Sequence, residues 1–195
     1  MARLIVGVAG PMGSGKDTVA ACLVERFGFV RLGMADALKR EVSTIWRRTL
    51  DAHLHQTYGA SEMSRVGLDE MIRRSLYEHR TPVTRALLQE HGTELRRAED
   101  PDYWVARWTA TARSIQGSVV CPDVRFPNEL AALRALGGVL VVVERPGYLG
   151  TGHASETSLE GVVPDITFVN DGTVLDLWAR VSEWITPLFT KREAA

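Results

Sequence analysis

Apolar residues along this chain gather into short continuous runs, separated by stretches where they recur every third or fourth position. LIVGVA (4–9) is β-branched and ends in glycine, as a buried strand does. Val19, Ala20, Leu23, Val24 and Phe27 then recur at helical spacing over 17–27. GFVRLG (28–33) predicts a second short strand closed by Gly33. ADALKREVSTIW (35–46) predicts a helix with Asp36 in its first turns and Leu38, Val42 and Ile45 as its stripe. Residues 47–113 read as largely helical and polar, with breaks at Gly59, Gly67, Thr81-Pro82, Gly92 and Pro101. Strands at 118–124, 139–145 and 166–170 alternate with helices at 127–138 and roughly 173–189, and a glycine-rich connection fills 146–161. Strands alternating with helices imply an α/β fold, a parallel sheet covered on both faces. Ligands in such sheets sit at the carboxyl ends of strands. The stretches 10–18, 33–39, 123–129, 145–156 and 170–172, which hold the suggestive chemistry, all follow a strand.

Composition narrows the picture by exclusion. A chain of 195 residues can build one sizeable core with a small insertion. Its formal net charge of −1 supplies no global field toward nucleic acid or an acidic membrane, so any anion must be held by local design. The apolar runs fall far short of the roughly 20 residues a membrane span needs. Glycines and a lysine interrupt any signal-peptide layout. Cys22 and Cys121 lie in apolar segments without metal-like spacing and read as buried thiols, which makes a cytoplasmic protein the default expectation. Lysine occurs only at 16, 39 and 191, and the first two fall inside candidate motifs.

The first strand-to-helix turn carries the strongest chemical signal. GPMGSGKDT (10–18) has the spacing G-x-x-x-x-G-K between a strand and a helix. Gly10, Gly13 and Gly15, flanking Ser14, let the backbone curl so that N–H groups point inward. Lys16 adds a full charge, and the following helix presents its positive end. The combination suits a nucleotide polyphosphate. After the lysine, where a hydroxyl for Mg²⁺ ordinarily stands, come Asp17 and then Thr18. Either Thr18 takes the hydroxyl role one place later while Asp17 holds metal-bound water or the acceptor, or Asp17 is a favourable acid in the first helical turn.

In order along the chain, GSGKDT, MADALK, LLQEHGTELRR, DVRFPNE, HASE and NDGT resemble the phage-type deoxynucleoside monophosphate kinases, a branch of the nucleoside monophosphate kinase group of P-loop proteins. The resemblance covers nearly the whole chain and is least anchored near 47–80. Dephospho-coenzyme A kinase and the animal-type phosphomevalonate kinases look like more distant relatives; the latter also carry an acid after the loop lysine. The resemblance implies a three-layer P-loop fold whose five-stranded parallel sheet runs 2-3-1-4-5. It implies a single domain over 1–195, with a helical substrate-binding insertion at 40–113 and a lid at 146–161. The implied reaction moves the γ-phosphoryl group of ATP, with Mg²⁺, to a deoxynucleoside monophosphate. Gly13, Ser14, Gly15, Lys16, Asp17 and Thr18 would hold the donor, with Asp17 and Thr18 serving the metal mostly through water. No nucleic-acid or membrane partner is expected, a homodimer is common among relatives, and a phage-encoded chain would work in the host cytoplasm.

The residues themselves are compatible with that chemistry. A phosphate acceptor needs no strong base; transfer needs positioning, positive charge and a second anion site facing the first. Arg125 and Arg145, following strands, suit both jobs, and with Lys16 and Asp123 they form the candidate catalytic set. The alternative for Arg125 is a pair with Glu129, itself a candidate acceptor contact; Asp123 orients Mg²⁺ through water, holds the arginines or an acceptor group, or serves a turn. Asp36 and Lys39 share a helix face, as acceptor contacts or as a surface ion pair. Gln89, Thr93 and Arg96 form a polar stripe that would read a base edge and a phosphate, or an ordinary exposed face. Trp104 would stack on a base or belong to the core. Gly147, Gly150 and Gly152 permit a hinged lid; His153, Ser155 and Glu156 match an HxSE pattern, with Glu156 anchoring the lid or touching the acceptor. Asn170 and Gly172 would border the adenine, or simply make a turn. Two rival readings stay open: a kinase of another acceptor (dephospho-coenzyme A, phosphomevalonate or a hydroxymethylated base in DNA), and a nucleotide-binding switch that hydrolyses slowly.

Overall fold

The structure, a computed structural model, describes residues 3–58, 62–78, 81–148, 159 and 161–193. Strand β1 (Ile5–Ala9) is buried at every position, so the sheet must be covered on both faces. It leads into α1 (Lys16–Phe27), β2 (Val30–Arg31), α2 (Asp36–Tyr58) and α3 (Glu62–Arg73), which continues as the π-helical stretch Arg74–Glu78. Helix α4 (Pro82–Gln89) likewise continues as π-helical Glu90–Arg97. Then come α5 (Tyr103–Ser114), β3 (Val119–Cys121), α6 (Pro127–Ala135), β4 (Val139–Glu144), β5 (Ile166–Val169) and α7 (Val174–Glu193).

The strands form one all-parallel sheet in the order β2-β3-β1-β4-β5, as expected from the resemblance. Alternation along β1 builds the layers. Leu4, Val6 and Val8 pack with Val19 and Leu23 of α1 and Leu177, Val181 and Ile185 of α7. Ile5 and Ala9 turn to the other face, with Trp108 and Ala112 of α5 and Leu133 of α6. Strand β2 keeps only two residues of the expected run, both exposed, because it sits at the sheet edge.

The chain divides into two compact units: a sheet unit of 1–34 and 105–195, and a helical unit of 35–104. The helical unit has its own core of Val42, Leu68, Ile72 and Leu76, with Leu38, Trp46, Leu50 and Leu88 packed against it. Most of α5 therefore belongs to the sheet unit, where the Trp108 indole donates to the Leu32 carbonyl at 3.0 Å.

Two of the glycine breaks expected within 47–113 are not breaks. Gly67 lies inside α3, and Gly92 lies inside the π-helical stretch after α4. Gly92 is there for close packing: a Cβ would come within 2.7 Å of Leu38 Cδ2. The break at Thr81-Pro82 is real. Thr81 caps α4 by accepting from the Thr84 N–H, and Pro82 takes the first helical position. Gly59 lies outside the described residues. At the other end, α7 runs on through Pro187 to Glu193, past the expected stop near 189.

Candidate functional site

Between β1 and α1 the chain curls through Gly10, Gly13 and Gly15, with φ of 145°, 81° and 106°. Gly15 caps α1 in the left-handed region, and a Cβ there would lie 2.6 Å from Asn170 Nδ2, so both backbone and space demand glycine. Asn170, just past β5, donates that Nδ2 to the Ser14 carbonyl at 2.8 Å and pins the loop. The Ser14 side chain is fully buried, and its Oγ has no hydrogen-bond partner among the described residues. A buried hydroxyl left so is costly and marks a place that a ligand or water oxygen can complete.

Positive charge gathers around the loop. Lys16 opens α1, its Nζ donating back to the Pro11 carbonyl at 3.2 Å. Arg145, directly after β4, donates to the Gly13 carbonyl at 3.3 Å, and its guanidinium lies 4.4 Å from the Tyr148 ring centroid. Gly13, Gly15, Lys16, Asp17, Thr18, Arg145, Asn170, Gly172 and Val174 line one cleft of about 320 Å³. Sequence reasoning thus named all but Val174 of this lining; it missed Val174 and the Tyr148 platform, which no motif flags. Thr18 gives its carbonyl to the Trp178 indole at 3.1 Å, which fixes the start of α1 to α7.

The acids, Asp17 of the cleft lining among them, are engaged with protein. Asp17 Oδ1 accepts from Arg31 Nη2 at 2.9 Å. Asp123 Oδ1 accepts from the Met34 N–H at 2.7 Å and from the Cys121 thiol at 3.4 Å. Burial, seconded by the Asp123 charge, pushes the Cys121 thiol well up, so it stays a donor. Glu129 is buried, and its Oε2 takes the backbone N–H groups of Arg125 and Phe126 at 2.8 and 3.2 Å. Glu129 therefore holds the backbone of the 125–126 turn instead of pairing with the Arg125 side chain. The Arg125 guanidinium has no partner among the described residues, and the residue is exposed.

In the helical unit, the candidate acceptor residues are largely committed to one another. Lys39 is buried and donates to Asp36 at 3.2 Å, with Nζ 4.8 Å from the Tyr77 ring centroid, so the pair is not the solvated surface pair weighed above. Glu41 gathers three donors: His91 Nε2, Arg96 Nε and Tyr103 Oη, each at 2.9 Å. Burial raises the Glu41 carboxyl, but the bonds from His91, Tyr103 and Arg96 outweigh it and leave its pKa low. Arg96 also stacks on Tyr103 at 5.1 Å. Trp104 is 3% exposed and donates its indole N–H to the Gly92 carbonyl at 3.0 Å. It is core, not a stacking surface for a base. Gln89 is exposed on α4. Gln89 ends α4 and Arg96 lies in the π-helical stretch that follows, so the α-helical spacing behind the expected stripe does not hold between them. The Thr93 side chain and the residues Gly150, Gly152, His153, Ser155 and Glu156 lie outside the described set, as does most of the expected lid.

Among the described residues, no three His, Cys, Asp or Glu side chains group as a metal site, and no helix is long and apolar enough to cross a membrane. Comparison with known proteins adds the rest. The model of a family described as deoxynucleotide monophosphate kinase matches residues 48–181. A putative deoxynucleotide monophosphate kinase of Acanthamoeba polyphaga mimivirus is 29% identical over 197 residues, covering 91% of this chain and 94% of that protein. An uncharacterized protein, ORF76, of Ictalurid herpesvirus 1 (strain Auburn) is 26% identical; the match covers 93% of this chain but 66% of the longer viral protein. Among solved structures, TT1252 from Thermus thermophilus aligns with a TM-score of 0.43 and 16% identity over 96% of this chain and 99% of that one.

Proposed function

Because the chain belongs to the deoxynucleotide monophosphate kinase family, we propose that it transfers the γ-phosphoryl group of ATP to the 5′-phosphate of a deoxynucleoside monophosphate. An oxygen of the acceptor phosphate attacks the γ-phosphorus. The bond from that phosphorus to its bridging oxygen breaks, and ADP leaves with the bridging oxygen as the deoxynucleoside diphosphate forms. The acceptor is already ionised near neutral pH, so no side chain has to take a proton. What the protein must do is align two anions and offset their charge.

The observation that carries this reading is that one cleft unites the glycine loop, the lysine opening α1 and the Arg145 guanidinium. The buried Ser14 hydroxyl, unpartnered among the described residues, and the left-handed glycines fit a bound polyphosphate. In this reading Gly13, Ser14, Gly15 and Lys16 hold the donor phosphates. Asn170 and Gly172 border its nucleoside, Arg145 offsets charge on the migrating group, and Arg125 meets the acceptor phosphate. Thr18, which lines the cleft, has a hard hydroxyl oxygen that would help hold Mg²⁺, and the ion would supply positive charge against the phosphates. The helical unit is the proposed source of acceptor selectivity.

The test is a panel of the four deoxynucleoside monophosphates with ATP and Mg²⁺, analysed for diphosphate product. At least one acceptor is expected to yield its diphosphate, in step with ADP. ADP release that is the same with and without every acceptor would overturn the reading in favour of a nucleotide-hydrolysing switch.

A further inference from the structure

We infer that Arg31 is a phosphate-binding residue on the β2–β3 flank of the loop, and that Asp17, the acid following the loop lysine, is a positioning residue that holds it. The inference rests on the kinase reading above. It starts from the ion pair itself. Asp17 Oδ1 and Arg31 Nη2 are 2.9 Å apart, yet the two side chains are 69% and 51% exposed. Exposed pairs of this kind contribute little to stability, and the acid's favourable place in the first turn of α1 needs no arginine. Fold maintenance therefore does not account for the contact.

Location supplies the alternative. Arg31 is the last residue of β2 and pairs in register with Val120 of β3. It stands at the carboxyl edge, where ligands of parallel sheets bind. The neighbouring strand β3 leads to Arg125, whose backbone is fixed by buried Glu129 and whose guanidinium has no partner among the described residues. Two guanidinium groups thus follow adjacent strands on one side of β1. The cleft with Arg145, Asn170 and Gly172 extends toward β4 and β5, and Asp17, which also lines it, reaches Arg31 on the opposite flank. The sheet order puts Arg145 on one flank of β1 and Arg31 and Arg125 on the other, with Asp17 joining the two, so each of the two anions that transfer must bring together has cations on its own flank.

Chemistry fits the same assignment. A guanidinium has five donors, and one bond to Asp17 leaves others for phosphate oxygens in a bidentate fork. A flexible arginine loses rotamer freedom when it binds; one already tethered by a carboxylate loses less. Asp17 then does its work through Arg31, not through metal-bound water, and the hydroxyl toward Mg²⁺ comes from Thr18.

The experiment compares wild type, Arg31→Ala, Arg31→Lys, Asp17→Asn and the Asp17→Asn/Arg31→Ala double variant. The measurements are steady-state kinetics and calorimetric binding of each deoxynucleoside monophosphate and of ATP. Arg31→Ala is expected to raise KM and Kd for the acceptor at least tenfold while ATP affinity changes less than threefold, and Arg31→Lys to recover part of the loss. Asp17→Asn should have a smaller effect of the same kind, vanish as a further effect in the Arg31→Ala background, and leave half-saturation by Mg²⁺ unchanged. Acceptor binding by Arg31→Ala within twofold of wild type overturns the role of Arg31. Effects that multiply in the double variant, or a tenfold shift in Mg²⁺ dependence for Asp17→Asn, overturn the role of Asp17. Wild-type protein that binds the acceptor without transferring to it removes the kinase reading alone; wild-type protein that binds no acceptor removes both.

Discussion

The sheet unit and the helical unit use polar side chains in opposite ways. Around the glycine loop, two cations lie against backbone carbonyls, Lys16 on Pro11 and Arg145 on Gly13, and the exposed Arg31 pairs with an acid, Asp17. In the helical unit, charged groups are paired with one another: Glu41 with His91, Arg96 and Tyr103, and Lys39 with Asp36. Even the cavities differ. The sheet-unit cleft is lined by amides and cations, whereas a groove of about 210 Å³ in the helical unit is lined chiefly by Val42, Ile45, Trp46, Leu87 and Leu95. A weak bond from a lysine to a carbonyl is easily exchanged for a phosphate oxygen. A carboxylate with three donors is not easily exchanged for anything. The difference suggests chemistry in the first unit and internal order in the second, and substitutions can break it.

The largest effect should come from the loop lysine. Lys16→Ala is expected to lower turnover at least a hundredfold, about 2.7 kcal/mol in barrier terms, with thermal stability unchanged. Steady-state rates beside a melting curve check both halves, and a protein that unfolds without losing specific activity would erase the contrast. Next comes Glu41→Gln, which should cost ~2 kcal/mol of stability, because a partly buried carboxylate that accepts from the Arg96 guanidinium, His91 and Tyr103 is replaced by a neutral amide. It carries a pH signature. The folded-state pKa of Glu41 is depressed, so its stabilisation is complete above the unfolded carboxyl value and is lost as pH falls through the lower folded one. Wild-type stability should therefore fall faster than that of the variant on acidification below about pH 4.5. Denaturant midpoints measured from pH 7 down to pH 3 would reveal parallel curves if the Glu41 network had no such role.

How much was legible in the sequence divides along the same line. The strands and the loop were readable because their signals are local: a β-branched run, glycines at fixed spacing, a lysine, then helical periodicity; the strand order followed only from the family resemblance. Asn170 and Gly172 were readable from the rule that ligands gather at strand ends, and that rule would equally have pointed to Arg31 at the end of β2. The Glu41 network was not readable. It joins residues fifty and more positions apart, and nothing near Glu41 announces His91. The spacing of Gln89 and Arg96 was misread for a different reason: it assumed α-helical geometry where the backbone widens to a π-helix. Glu129, offered by the sequence as an acceptor contact or alternatively as a partner of the Arg125 side chain, is buried instead, its carboxylate turned inward to two backbone N–H groups.

Trp104 offers the smallest effect and the sharpest division between the two ways of using a polar group. Its indole donates to the Gly92 carbonyl, and its ring sits edge-on to Tyr103 with centroids 4.7 Å apart. Gly92 in turn is glycine because Leu38 crowds it, so indole, carbonyl and leucine form one packed unit. Trp104→Phe keeps an aromatic ring but removes the donor and leaves a small void. The expected cost is about 1 kcal/mol, a fall in melting temperature of roughly 2–4 °C for a chain of this size. If the ring were a base platform, phenylalanine would preserve melting and change KM for the acceptor. Because it is core, the melting temperature should drop while KM for ATP and acceptor stays within twofold. A variant that melts like wild type and loses acceptor affinity would move Trp104, and with it the helical unit's interior, back among the groups that touch substrate.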